Sequence, residues 1–192
     1  MKQKLKLALV GAGERGQYCY APYAKMHGYE IEFVAVADPH KGRREKFVQD
    51  YHVPAEGVFE TAEQFFARPR MADAVLICTQ DSQHYAYACQ AIDLGYSILL
   101  EKPISPDLAQ CKEILAVARE TGRKVVVCHV LRYAPFYRKI KEVLDYPGNS
   151  VYVVQGEREY LIPAVKEFIL STDLEKNQMQ VKLLKGMASD ED

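Results

Sequence analysis

Gly11-Ala12-Gly13-Glu14-Arg15-Gly16 follows an alternating, strand-like run from Lys4 to Val10 and opens a helix-compatible segment. Three glycines at that spacing have separate roles in holding a diphosphate. Gly11 permits the tight turn out of the strand, Gly13 lets phosphate oxygens come against bare backbone, and Gly16 lets the helix pack close to the strand. Unpaired N–H groups where the helix begins, at Glu14 and Arg15, then face the anion. A glycine turn alone is weak evidence, because such turns are common. The context strengthens it: Asp38 ends the apolar run Ile31 to Ala37 about 20 residues further on, the offset of a ribose-binding acid. A carboxylate there accepts bonds from ribose hydroxyls and repels a 2′-phosphate, which favours NAD. Lys41, Arg43 and Arg44 follow closely and soften that preference, so NADP stays open.

The elements that must position these residues alternate strand and helix. Gln17 to His27 reads as the first helix, with Pro22 starting, kinking or splitting it. Ile31 to Ala37 is apolar on both faces, as an interior parallel strand is. His40 to Tyr51 is a crossover helix, with Phe47, Val48 and Tyr51 at helical spacing. Val58-Phe59 is a weak strand, and Thr61 caps a short helix through Phe66. Ala74 to Cys78 and Ser97 to Leu100 are further strands, separated by a helix from Tyr85 to Leu94 that Gly95 closes. Asp107 or Ser105 caps a helix reaching Thr121, Lys124 to Cys128 reads as another buried strand, and a helix is expected from about Pro135 to Leu144. The pattern predicts an α/β chain with a Rossmann-like, doubly wound parallel sheet. Ligands of such sheets bind beyond the carboxyl ends of the strands. Gly11 to Gly16, Asp38, Thr79 to His84, Glu101 to Pro103 and His129 to Tyr133 all fall there.

The chain has 192 residues, 48% hydrophobic and 27% charged, with a formal net charge of -1. Those values suit an ordinary globular protein and give no electrostatic signal for nucleic acid or an acidic membrane. The five cysteines show no Cys-x-x-Cys spacing, so they read as reduced thiols of a cytoplasmic protein, with no metal site. No apolar run reaches membrane-spanning length.

The glycine turn, the Ala-Asp38-Pro end of the second strand, Cys78-Thr79-Gln80-x-x-x-His84 and above all Glu101-Lys102-Pro103 resemble the Gfo/Idh/MocA family of NAD(P)-dependent oxidoreductases over residues 4 to 142. The resemblance implies that Gly11, Gly13 and Gly16 hold the diphosphate and Asp38 the adenosine ribose. It places Thr79 and His84 near the nicotinamide ribose. It makes Lys102 the catalytic candidate, beside the nicotinamide, where an ammonium bonds the reacting hydroxyl and stabilises the developing alkoxide. Glu101 orients that lysine and Pro103 fixes the turn, in the family often with a cis peptide bond. Most relatives have proline where this chain has Gln80. Taken singly, Lys102 is an ordinary surface lysine, while His84 and His129 are ordinary loop histidines; convergence on one edge raises Lys102 most. The implied substrates are sugars, inositols and related polyols.

The family's proton-transfer histidine, in an Asp-x-x-x-His motif of its second domain, has no counterpart here, since no histidine follows His129. The chain thus reads as residues 1–143 of cofactor domain, cut short before a substrate domain and not catalytic alone. Residues 144–187 form a β-hairpin appendage. They resemble the C-terminal half of the PRC-barrel domain of ribosome maturation factor RimM, which implies contact with a small-subunit ribosomal protein and a non-catalytic assembly role as the alternative. Two hairpins are expected, from Val151 to Ile162 and from Glu167 to Leu184. Residues 188–192 are an acidic, disordered tail, and pairing of an exposed sheet edge makes a homo-oligomer possible.

Overall fold

The computed structural model describes residues 3–129, 132–133, 140–146, 149–173, 176 and 178–188. They fall into two compact units, Met1–Cys128 and His129–Asp192.

The first unit is built on six parallel strands, β1 (Leu5–Val10), β2 (Ile31–Ala37), β3 (Val58–Phe59), β4 (Ala74–Ile77), β5 (Ser97–Leu100) and β6 (Val125–Val127). Their order in the sheet is β3-β2-β1-β4-β5-β6. The direction of winding reverses between β1 and β4, which opens a crevice at their carboxyl ends. One face carries Val10, Ala37, Val75, Ile77, Ile98 and Leu100 against α3 (Ala62–Phe66), α4 (His84–Asp93) and α5 (Leu108–Thr121). The opposite face carries Leu7, Leu9, Phe33, Val36 and Leu76 against α1 (Pro22–Met26) and α2 (Lys41–Tyr51). Phe33 meets the Phe47 ring edge-on at 5.0 Å, which ties α2 to the sheet.

Local chemistry sets the element ends. Pro22 starts α1, and the segment before it, Arg15–Tyr20, forms a wide helical turn in which Ala21 N–H donates to Gly16 O five residues back. Asp107 Oδ1 accepts Ala109 N–H at 2.8 Å to cap α5, and Gly122, at φ 67°, ends it. Ser105 instead accepts the Asp107 N–H and donates to Gln110. The Lys124–Cys128 run is not buried on both faces as its composition predicts. β6 is an edge strand, and Val126 is 54% exposed because no described helix of this unit covers that side. Leu99 and Val126 there line an open apolar groove with Leu5 and Tyr23.

The second unit holds an antiparallel meander, β7 (Ile140–Tyr146), β8 (Asn149–Gln155) and β9 (Glu159–Pro163), and a separate hairpin of β10 (Ile169–Asp173) with β11 (Gln178–Val181). The helix expected through Leu144 is corrected: residues 134–139 lie outside the described residues, and Ile140–Tyr146 is a strand paired with β8 from Ile140↔Val154 to Tyr146↔Asn149. Non-local pairing overrides the helical spacing of Ile140, Val143 and Leu144. Val153, Ile162 and Ala188 are the buried apolar residues described there. Of residues 188–192, expected to be a disordered tail, Ala188 is corrected: it is buried and bridges Tyr160 in antiparallel pairing, while residues 189–192 lie outside the described residues. No helix among the described residues is long and apolar enough to cross a membrane.

Candidate functional site

The crevice at the β1–β4 reversal gathers the glycine turn, Asp38, the loop after β4 and the Glu101-Lys102-Pro103 turn after β5. The three glycines differ in what constrains them. Gly11 sits at φ +93°, and a Cβ there would meet Cys78 O at 2.5 Å, so the turn passes tightly over the end of β4. A Cβ on Gly16 would strike Gly11 O and come within 2.8 Å of Leu9 Cδ1, so the helical turn lies close on β1. At Gly13 the nearest atom is an Arg43 guanidinium nitrogen at 3.9 Å. The protein's own packing leaves room for a side chain there, an open cradle in the turn. Glu14 and Arg15 are exposed beside it.

Asp38 is 3% exposed at the end of β2. Its Oδ2 accepts the Ala12 N–H of the glycine turn and its Oδ1 the His40 N–H, both at 2.8 Å. The carboxylate thereby locks the turn to β2, while each oxygen keeps a second lone pair for a hydroxyl donor. Arg44 does not stand free to meet a 2′-phosphate. It is buried, donates to Asp38 O at 2.7 Å and Pro39 O at 3.1 Å, and pairs with Glu60 at 3.2 Å. Arg43 remains over the Gly13 cradle.

The loop after β4 takes a defined path without proline at position 80. Gln80 opens the short turn Asp81–Gln83: its carbonyl accepts the Gln83 N–H at 2.9 Å, while Gln83 Oε1 accepts the Gln80 N–H at 3.3 Å. His84 is fully buried, with Nδ1 2.6 Å from Pro103 O and Nε2 3.2 Å from Thr79 O. The ring lies between the β4 loop and the turn after β5, and as a neutral imidazole it donates to one of the two carbonyls it faces, so its influence on the crevice runs through that backbone. Thr79 Oγ1 and Gln17 Nε2 are buried without a protein partner. Orphaned polar atoms of that kind at a crevice fit a site completed by a polar ligand.

Glu101 is 5% exposed. Its Oε1 accepts the Tyr20 hydroxyl and lies 3.4 Å from Arg15 Nε, while Oε2 accepts the Lys102 N–H at 3.1 Å. The Lys102–Pro103 peptide bond is cis, and the Lys102 side chain is exposed. Burial, then a bond with Cys128, then the bond to Glu101 push the Tyr20 hydroxyl above its ordinary range. Tyr20 is the participant that sequence reasoning passed over, while Arg44, expected to soften the NAD preference, is engaged within the fold instead. Tyr20 carried one signal, its position a turn of helix past Gly16. His129, Arg132 and Tyr133 belong to the second unit, and residues 130 and 131 lie outside the described residues.

Strand order, glycine turn and the acid ending β2 define a dinucleotide-binding domain of the doubly wound class. Comparison with known proteins makes the class specific. The family described as "Oxidoreductase family, NAD-binding Rossmann fold", Gfo/Idh/MocA, matches residues 5–129, and the chain belongs to it. The RimM PRC barrel domain matches residues 139–187. Inositol 2-dehydrogenase of Pseudomonas savastanoi is 31% identical over 143 residues, 73% of this chain and 41% of that protein. The scyllo-inositol 2-dehydrogenase (NAD(+)) of Bacillus subtilis is 30% identical over 176 residues, covering 88% and 48%. The crystal structure of the dehydrogenase MviM from Clostridium difficile superposes with a TM-score of 0.61 at 22% identity, covering 74% of this chain and 46% of that one. The chain spans less than half the length of these relatives.

Proposed function

We propose that the first unit binds NAD in the β1–β4 crevice and serves hydride transfer between a sugar-like or polyol carbinol and the nicotinamide. The open cradle at Gly13 carries this reading, because glycine there answers to no neighbour in the chain itself. Gly11 and Gly16 shape the turn, the N–H groups at Glu14 and Arg15 face the diphosphate, and Asp38 receives the adenosine ribose hydroxyls. Thr79 lies toward the nicotinamide ribose, held there with Pro103 by His84. Bound NAD supplies the hydride acceptor. Lys102 hydrogen-bonds the substrate hydroxyl and offsets charge on its oxygen as the carbinol is oxidised, and Glu101 fixes the lysine's backbone.

The Asp38 carboxylate and the engaged Arg44 favour NAD over NADP, with Arg43 the one described arginine standing over the Gly13 cradle. The substrate class is taken from the inositol dehydrogenases the chain is similar to. Calorimetric titration with NADH and NADPH tests the cofactor reading. Saturable NADH binding, tighter than NADPH, supports it; a folded chain that binds neither refutes it.

A second reading rests on the RimM match alone. In it, the second unit contacts a small-subunit ribosomal protein. Co-sedimentation with small ribosomal subunits that is lost on removing residues 149–192 supports it, and equal sedimentation of the shortened chain refutes it.

A further inference from the structure

We infer that Tyr20 is a positioning residue for the nicotinamide end of the site: with Arg15 it clamps one oxygen of Glu101, whose other oxygen holds the backbone of Lys102. This deepens the cofactor reading above and rests on it.

The geometry begins in the wide turn Arg15–Tyr20. Inserting one residue into a helical turn brings positions five apart onto one side, and such turns recur at functional sites. Here the two ends of the insertion, Arg15 and Tyr20, both reach Glu101 Oε1. An ordinary α-helical turn places residues four apart together instead. The acceptor is nearly enclosed, since the Glu101 side chain is 6% exposed, whereas Arg15 is 43% exposed. A hydrogen bond to a charged group at an enclosed site is worth more than one at the surface. Glu101 N–H is itself held by Ile77 O at 3.0 Å, so the carboxylate springs from the fixed end of the sheet. Oε2 then holds Lys102 N–H at 3.1 Å.

The chain of contacts runs from the helix after the glycine turn, through a buried carboxylate, to the lysine proposed to face substrate and nicotinamide. Arg15 alone is too exposed to fix that carboxylate, and Tyr20 supplies the hold from the buried side. The same hydroxyl faces Cys128, and its raised pKa keeps it a protonated donor across the working pH range.

The test compares NADH with ADP, which spans the glycine turn and Asp38 but carries no nicotinamide half. Both are titrated into the full chain by calorimetry. Tyr20→Phe is expected to weaken NADH by about tenfold and ADP by less than about twofold, the loss of one charge-assisted hydrogen bond acting on one end of the site. In a Lys102→Ala background, Tyr20→Phe is expected to add less than about twofold, because two residues acting through one path are not additive. Arg15→Gln loosens the same oxygen and shows the same selectivity, which keeps the test open should Tyr20→Phe not fold. Equal weakening of both ligands, full additivity with Lys102→Ala, or unchanged NADH binding overturns the inference. Failure of the wild-type chain to bind either ligand overturns the cofactor reading and this inference with it. That result is distinguishable because it needs no variant.

Discussion

Gly11, Gly13 and Gly16 stand in one turn, yet each is glycine for a different reason, and substitution separates the reasons. Gly11→Ala places a Cβ at φ +93° against Cys78 O and costs at least about 1–2 kcal/mol from the left-handed backbone alone. Gly16→Ala drives a methyl into Gly11 O and Leu9 and lowers the melting temperature likewise. Gly13→Ala meets nothing closer than 3.9 Å, so it leaves the melting temperature within about 1 °C while weakening NADH. Thermal melts of the three variants, read beside NADH titrations, check this; a Gly13→Ala chain destabilised as much as Gly16→Ala contradicts it. The spacing of these glycines is written in the sequence, because a turn over a parallel strand end needs local residues only. Tyr20 is not legible in that way. Its partner Glu101 lies 81 residues away, and no local pattern announces a contact of that length.

Among the elements, α4 and the turn after β5 are tied by a single buried imidazole. His84 opens α4 and faces two backbone carbonyls, Pro103 O at 2.6 Å and Thr79 O at 3.2 Å. His84→Phe removes the one ring N–H that these carbonyls share inside the fold, at an expected cost of about 1–3 kcal/mol in urea unfolding. A change below about 0.5 kcal/mol contradicts that tie. A histidine in a strand-end loop suggests a ligand to a reader of the sequence; burial gives this one another task. The same limit governs Ile140–Tyr146. Ile140, Val143 and Leu144 sit at helical spacing, and Lys and Glu favour helix, but pairing with Asn149–Gln155 decides the outcome. The six parallel strands follow from alternation of apolar runs with amphipathic segments, which is why that part of the fold is readable, while their order in the sheet comes from the structure. The exposed side of β6 was not, since an edge and a centre strand share the same Val-rich text.

Over the whole molecule, the carboxyl edge of the sheet holds thiol and phenol groups kept neutral by burial beside its buried carboxylates. Burial pushes the Cys78 thiol well above its ordinary 9.0 and raises Cys128 as well, in the same direction as Tyr20. In the unfolded chain these groups ionise at their ordinary values, so above about pH 9 the folded state holds more protons than the unfolded one. Stability is therefore fully present at neutral pH and falls as pH rises beyond that point. Melting temperatures recorded from pH 7 to pH 10.5 are expected to drop in the alkaline range, and Cys78→Ala is expected to lessen the drop; an alkaline slope unchanged by Cys78→Ala contradicts the assignment. The division into Met1–Cys128 and His129–Asp192, with family matches ending at 129 and beginning at 139, makes the cofactor site a property of the first unit. The Gly13 cradle is proposed to bind the diphosphate of NAD. Titrating NADH into the wild-type chain and into Gly13→Val at matched melting temperature decides this. Saturable binding is expected at about one site per chain, weakened in Gly13→Val by at least about a hundredfold, equivalent to roughly 3 kcal/mol. Equal binding by the two chains, or none by a folded wild-type chain, contradicts it.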